Sequence, residues 1–189
     1  MREDGLSSAA DRGASAATAT IWHADSPGDI AQARALFLEY AQWLKVDLCF
    51  QQFDAELAGL PGSYAPPHGR LLFAGTQGIA FGCIALRPLD AADPAAKAAL
   101  RTGEVKRLYV RPTQRGQRWG HRLSEALIAE ARAIGYHQLK LDTLAWMGPA
   151  RTLYAELGFR ECPPYYANPL PDVVYMSLDL APPRVSRNG

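Results

Sequence analysis

The sequence predicts a single mixed α/β domain in which a central mixed sheet of about six to seven strands, antiparallel early and parallel in the middle, is flanked by helices. Three observations carry that prediction. The apolar runs Arg70–Gly75 and Ile79–Leu86 are separated by Thr76-Gln77-Gly78, which reads as an antiparallel hairpin turning at Gln77-Gly78. From Gly103 the pattern changes to strand, helix, strand, helix, strand, and two strands joined by a crossover helix lie parallel with a right-handed connection. The chain has 189 residues and 48% hydrophobic content, enough for one well-buried core.

Residues 1–19 are rich in Ala, Ser, Thr and Gly without a period, and read as a flexible extension. The domain is expected over 20–181, with 182–189 as a flexible tail. Order begins near Ile21-Trp22. Ser26 followed by Pro27 signals a helix start, and Ile30, Ala33, Phe37, Tyr40, Ala41 and Leu44 then recur at helical spacing. A short helix is expected over Phe53–Gly59, then a Pro/Gly-rich loop over 61–69 and the hairpin. Asp90 to Thr102 is alanine-rich around Pro94 and fits either a helical insertion or a loop. Glu104–Val110 is the next strand. Trp119–Ile134 is a helix stopped by Gly135, with Leu123, Leu127 and Ala131 on one face. Gln138–Thr143 is a strand, Pro149–Leu157 a helix closed by Gly158, and Val173–Leu180 the last strand. In that second helix Ala150, Leu153 and Leu157 form the expected buried stripe, with Tyr154 on its flank.

Composition excludes several functions. A net charge of +1 gives no support for nucleic-acid or membrane-surface binding. No apolar run approaches the ~20 residues a membrane helix needs, and the N-terminus, with Glu3 and Asp4, lacks an apolar signal core. Cys49, Cys83 and Cys162 are odd in number and widely spaced, as expected of a reduced, cytoplasmic protein with cysteines as core filler. His23, His68, His121 and His137 form no metal-like pair, so no metal is expected. No Gly-x-Ser-x-Gly motif or Cys–His arrangement marks a covalent nucleophile.

The turn Arg115-Gly-Gln-Arg-Trp-Gly120 opens the long helix. A helix N-terminus presents unpaired N–H groups and favours acids or a bound anion, yet Arg118, His121 and Arg122 stand there. Such cations cost about 0.3–1 kcal/mol each unless a diphosphate occupies the site, and Gly116 and Gly120 would let backbone approach it. A solvated helix start, with glycines serving only the turn, explains the same residues.

With the strand before it, the turn resembles the signature of the GNAT superfamily of acyl-CoA-dependent N-acetyltransferases: Arg or Gln, two residues, Gly, one residue, then Gly or Ala. Arg115 and Gly120 match, and Arg118 stands at the middle glycine, tolerable if the backbone stays helical there. The resemblance spans roughly Ile21–Leu180 and is most specific over Glu104–Phe159. It implies acetyl-CoA as co-substrate, with Leu108, Tyr109 and Val110 holding the pantetheine arm through main-chain groups. Arg115, Gly116, Gln117, Arg118, Trp119, Gly120 and His121 would wrap the pyrophosphate.

Glu104 occupies the position where several members of that superfamily carry a general base for the protonated amine. A strand acid paired with a neighbour such as Lys106 is the other reading. Tyr154, in Leu-Tyr-Ala-Glu-Leu-Gly-Phe, resembles the tyrosine that protonates the departing thiolate, and a phenol suits that task at neutral pH; helical packing is its alternative. The family's Asn seven residues earlier is Met147 here, so a side-chain contact to pantetheine is not expected. Asp142 either faces the acceptor amine or serves a structural hydrogen bond. By the same resemblance Tyr40, Trp43, Phe50, Gln52, Tyr165 and Tyr166 line the acceptor side, where aromatics would suit a small amine. Tyr40 and Trp43 equally fit core packing. Prolines on both sides of Tyr165-Tyr166 would stiffen that loop.

The expected function is acetyl transfer from acetyl-CoA to a small-molecule primary amine by direct attack. A non-catalytic acyl-CoA-binding or regulatory module is the alternative, and a ligand-free interaction domain a third. A homodimer is the default assembly on general frequency.

Overall fold

A computed structural model describes residues 18–46, 52–89 and 102–180. Strand β1 (Thr20–His23) leads into α1 (Pro27–Leu44), whose start is fixed by a capping box in which Ser26 Oγ accepts from Asp29 N and the Asp29 carboxylate accepts from Ser26 N. Lys45, with φ +54°, ends the helix in the left-handed region. Helix α2 (Phe53–Ala58) is short, and a 3-10 turn over Gly62–Tyr64 precedes β2 (Arg70–Thr76) and β3 (Ile79–Pro88). Gln77 and Gly78 both have positive φ, +52° and +78°, the conformation a two-residue type I′ hairpin requires.

After β4 (Thr102–Val110) come α3 (Trp119–Ile134), β5 (Gln138–Leu144), α4 (Gly148–Glu156), the two-residue β6 (Arg160–Glu161) and β7 (Val173–Asp179). The seven strands form one sheet in the order β1-β2-β3-β4-β5-β7-β6, antiparallel except for the parallel β4–β5 pair. The expected mixed sheet is therefore present. The alanine-rich segment around Pro94 lies outside the described residues, apart from Thr102, which opens β4.

Each face of the sheet has its own core. Leu72, Ile84, Leu86, Val105, Leu139 and Leu141 pack against Leu123, Leu127 and Ala131 of α3. Phe73, Cys83 and Ala85 pack with Phe37 of α1 and Phe53 and Leu57 of α2 on the other face. Each fully buried leucine contributes roughly 1.5–3 kcal/mol of hydrophobic stabilisation.

Two irregularities in the middle of the sheet make the site. Strands β4 and β5 pair only at Thr102↔Gln138, Gly103↔Leu139 and Glu104↔Lys140, then part, so the β5-facing edge of β4 beyond Glu104 has no strand neighbour. Within β4, the register to β3 slips between Ala85↔Lys106 and Cys83↔Tyr109, and Arg107 takes φ +59°. This bulge sets two residues, Arg107 and Leu108, against Ile84 alone. It returns Leu108 and Val110 to the α3 face beside Val105 while Tyr109 joins the α1 face.

Candidate active site

The parting strands open a wedge with a large cleft on one side and a small cavity on the other. The cleft has a volume of about 810 Å³ and is walled by Leu108–Val110 of β4, the Arg115–His121 turn and the outer face of α4. The cavity, about 60 Å³, is lined by Tyr40, Lys106, Arg107, Asp142 and Tyr154 among others. Leu108, Met147 and Ala150 line both, so the two hollows share a wall.

The start of α3 bears the marks of an anion site. Its N-cap, Arg118, makes no side-chain cap hydrogen bond, and the first turn holds no acid. Arg118 is not right-handed helical as expected: its φ of +60° places it in the left-handed region that glycine adopts freely. The residue that replaces the usual glycine thus keeps a glycine-like backbone. Gly120 also sits closely, since a Cβ there would stand 3.1 Å from Leu153 Cδ1. Arg115 Nε donates to Val110 O at 2.9 Å, and the guanidinium lies 4.5 Å over the Trp43 ring. Trp43 therefore stands at the rim of the large cleft, in contact with Trp146 at 6.0 Å, and is not among the residues lining the cavity. Met147 fills shared wall and accepts from Thr143 Oγ1 through its sulfur at 3.6 Å.

The floor of the wedge is charged. Glu104, 1% exposed, lies directly opposite Arg87 in the β3–β4 register, and Arg87 Nε and Nη2 each reach its Oε2 at 2.7 Å. Its Oε1 takes Tyr165 Oη at 3.0 Å and Lys106 Nζ at 3.5 Å. Lys106 is closer to Asp142, with Nζ 3.0 Å from Oδ1. Glu104 is not among the residues lining the cavity, whereas Asp142 is. Tyr165 and Tyr166 stand behind these acids: Tyr165 donates to Glu104, while Tyr166 hydrogen-bonds Asp142 and accepts from Asn168 Nδ2 at 2.8 Å. Tyr40 lines the cavity, and burial pushes its phenol up to about 12. Phe50 lies outside the described residues. Gln52 caps α2 with φ +54° and borders a separate hollow beside Arg87.

Tyr154 corrects the expected face of α4. It is the buried residue of that helix, 7% exposed, while Ala150, Leu153 and Leu157 are only partly covered, because α4 lays its tyrosine into the wedge against Phe159. Among the described residues its hydroxyl makes no hydrogen bond, and burial, with Tyr40 and Asp142 adding, holds the phenol well above its ordinary value.

Two features escaped the sequence reading. Arg87 ends an apolar run and is found only by counting hairpin register back from Glu104. The buried pair of Arg107 and Glu56, joined by Nε to Oε1 at 2.9 Å and by Nη2 to Oε2, depends on the bulge, which no local residue pattern marks.

This geometry agrees with comparison to known proteins. Residues 30–159 match the model of the acetyltransferase (GNAT) family. The chain belongs to that family. An uncharacterized N-acetyltransferase of Schizosaccharomyces pombe is 40% identical over 82% of this chain and 91% of its own. An IAA acetyltransferase of Azospirillum brasilense is 37% identical over 53% of this chain and 61% of its own. A Salmonella typhimurium protein described as an acetyltransferase, solved with its cofactor acetyl-CoA, shares the fold with a TM-score of 0.63 at 22% identity, covering 86% of this chain and 94% of that one. The chain is thus an acetyl-CoA-dependent GNAT acetyltransferase, and among its described residues no helix is long and apolar enough to cross a membrane.

Proposed function

We propose that this acetyltransferase moves the acetyl group of acetyl-CoA to the primary amine of a small molecule by direct attack, with the thioester at the wall shared by cleft and cavity. One observation carries the reading: Leu108, Met147 and Ala150 border both hollows where β4 has lost its strand neighbour, so a carrier in one meets an acceptor in the other. The pantetheine arm runs along Leu108, Tyr109 and Val110 as an added strand would. Its pyrophosphate meets the uncapped N–H groups of α3 between Arg115 and His121. Arg115 uses one of the two lone pairs of Val110 O and leaves the other for the arm.

The acceptor amine arrives protonated and surrenders a proton to the carboxylates gathered on Lys106, Glu104 and Asp142. The free amine attacks the thioester carbonyl, and the C–S bond breaks as Tyr154 protonates the leaving sulfur. A buried phenol held above its ordinary value stays protonated at neutral pH, as a donor must. A cavity of about 60 Å³ favours a small acceptor, and the Azospirillum brasilense relative is named for IAA, also a small molecule.

The test has two parts. Calorimetry with acetyl-CoA is expected to show stoichiometric binding that Gly120→Glu abolishes. Thiol release is then measured with ethanolamine, benzylamine, tryptamine, putrescine and the standard amino acids; binding without release by any of them leaves a carrier-binding module instead of an enzyme.

A further inference from the structure

A buried acid, Glu104, and a partly exposed one, Asp142, share Lys106, and the structure treats them differently. A carboxylate offers about four lone-pair sites. Four contacts reach Glu104, from Arg87 Nε, Arg87 Nη2, Tyr165 Oη and Lys106 Nζ. Among the described residues two reach Asp142, from Lys106 Nζ and the Tyr166 hydroxyl. Glu104 is sealed behind Tyr165 and has two cations against it. Asp142 has one, and it lines the cavity together with Tyr154.

We propose that Asp142 is the carboxylate that takes the proton from the acceptor amine, and that Glu104 is a positioning residue that orients Lys106 and Tyr165. The inference rests on the acyltransfer reading above and assigns a role within it. Lys106 bridges the two acids, so Glu104 holds the ammonium that in turn fixes Asp142 Oδ1. The Asn168–Tyr166 pair holds Asp142 from behind. Its other lone-pair sites are left for an incoming N–H at the cavity it lines.

Protons balance in three moves. The ammonium gives one proton to Asp142, and its nitrogen lone pair forms the C–N bond. The C–S bond breaks, and its electron pair leaves on sulfur and collects the Tyr154 proton. The second proton of the acylated nitrogen returns to the tyrosinate through water, and the first leaves Asp142 for solvent.

The groups facing Asp142 set its environment: Lys106 on β4, Tyr40 on α1, Tyr154 on α4, Tyr165 and Tyr166 after β6, and Tyr175, its register partner on β7. On top of burial, the Asp142 charge raises all five of those phenols, so within the working range they stay neutral and none of them serves as the base. Glu104 approaches it through Lys106.

The test compares wild type, Asp142→Asn, Asp142→Glu and Glu104→Gln across pH. Two nucleophiles are used: the amine from the panel above with the fastest thiol release, and hydroxylamine, which is unprotonated at neutral pH. Asp142→Asn is expected to lower kcat/KM for the amine at least about 100-fold at pH 7. The deficit should shrink as pH rises toward the amine's own pKa, and for hydroxylamine it should stay below about threefold. Glu104→Gln should depress both nucleophiles alike and leave the acid limb of the amine profile in place. Acetyl-CoA affinity and melting temperature are read on every variant. Should Asp142→Asn fail to fold, the amine-to-hydroxylamine ratio of Asp142→Glu decides, and a drop supports the proposal. The proposal is overturned if Glu104→Gln, and not the Asp142 variants, loses the acid limb, or if Asp142→Asn slows hydroxylamine as much as the amine. Absence of release from the wild type with every amine is a different failure, which removes the acyltransfer reading and this assignment with it.

Discussion

The two sides of the β4–β5 split are built on different plans. The coenzyme side is made largely of main chain: an unpaired strand edge, an uncapped helix start and a glycine packed against Leu153, mostly within residues 108–121. The acceptor side is made of side chains from distant places: Arg87 of β3, Glu104 and Lys106 of β4, Asp142 of β5 and the Tyr165-Tyr166 pair. A site of backbone amides tolerates changed side chains as long as the dihedrals persist. A site of buried charges does not, because each charge is stable only while its partner stays. Substitutions should therefore be severe on the acceptor side and mild on the coenzyme side, except where a side chain fills the turn itself, as Gly120→Glu does.

The largest effect is expected where a pair is broken without replacement. Glu56→Ala would leave the Arg107 guanidinium, 5% exposed, without its carboxylate and would remove the acceptor of the Tyr64 hydroxyl. A loss of about 3–5 kcal/mol in urea unfolding is expected. A loss below about 1 kcal/mol would show that the pair behaves like a surface bridge, and the contrast would fail on its stability side.

Tyr154→Phe comes next. The ring and its contact with Phe159 stay, while the hydroxyl that faces the cavity goes. Thiol release should slow at least about tenfold, equivalent to ~1.4 kcal/mol, with acetyl-CoA affinity intact. Unchanged turnover would remove its role as acid.

How much of this was legible follows the same division. The turn from Arg115 to Gly120, the strand before it and the helix after it are contiguous, and α3 begins and ends where Trp119, Ile134 and Gly135 said it would. Hairpin geometry was legible too, since Gln77-Gly78 is a local signal. The bulge at Arg107 was not, because a left-handed arginine inside an apolar strand leaves no local trace and is held from outside by Glu56. The spacing sets Tyr154 on the flank of α4's stripe, where the structure buries it, for a related reason: periodicity reports which residues share a stripe, and the wedge beside α4 comes from strands parting elsewhere. In sequence Glu104 stands out by its family position and Asp142 ranks below it, while the count of their partners, which weighs the other way, is visible only in space.

A smaller effect is expected from acid. Burial alone would raise the Glu56 carboxyl, but hydrogen bonds and charge from Arg107, with the Tyr64 hydroxyl, outweigh it and hold the group below its ordinary value of 4.5. A carboxyl depressed in the folded state adds stability that is complete above its unfolded value and is lost as pH falls through the folded one. The stability difference between wild type and Glu56→Gln should therefore be constant near neutrality and narrow below pH 4.5. A gap that stays constant down to about pH 2 would mean that packing, not ionisation, holds this corner.

The smallest effect is predicted on the coenzyme side, at Arg118. Its φ of +60° costs an ordinary residue about 1–2 kcal/mol, and glycine would escape that cost while losing about 0.5–1 kcal/mol to its freer unfolded chain. Arg118→Gly should thus gain roughly 0.5–1 kcal/mol in stability. If the amides do the holding, losing one cation at the helix start should weaken acetyl-CoA only about two- to fivefold. A loss beyond about tenfold would mean that the guanidinium itself grips the phosphates, more than the helix start supplies. The coenzyme side would then depend on a side chain as the acceptor side does, and the distinction between the two halves of the wedge would dissolve.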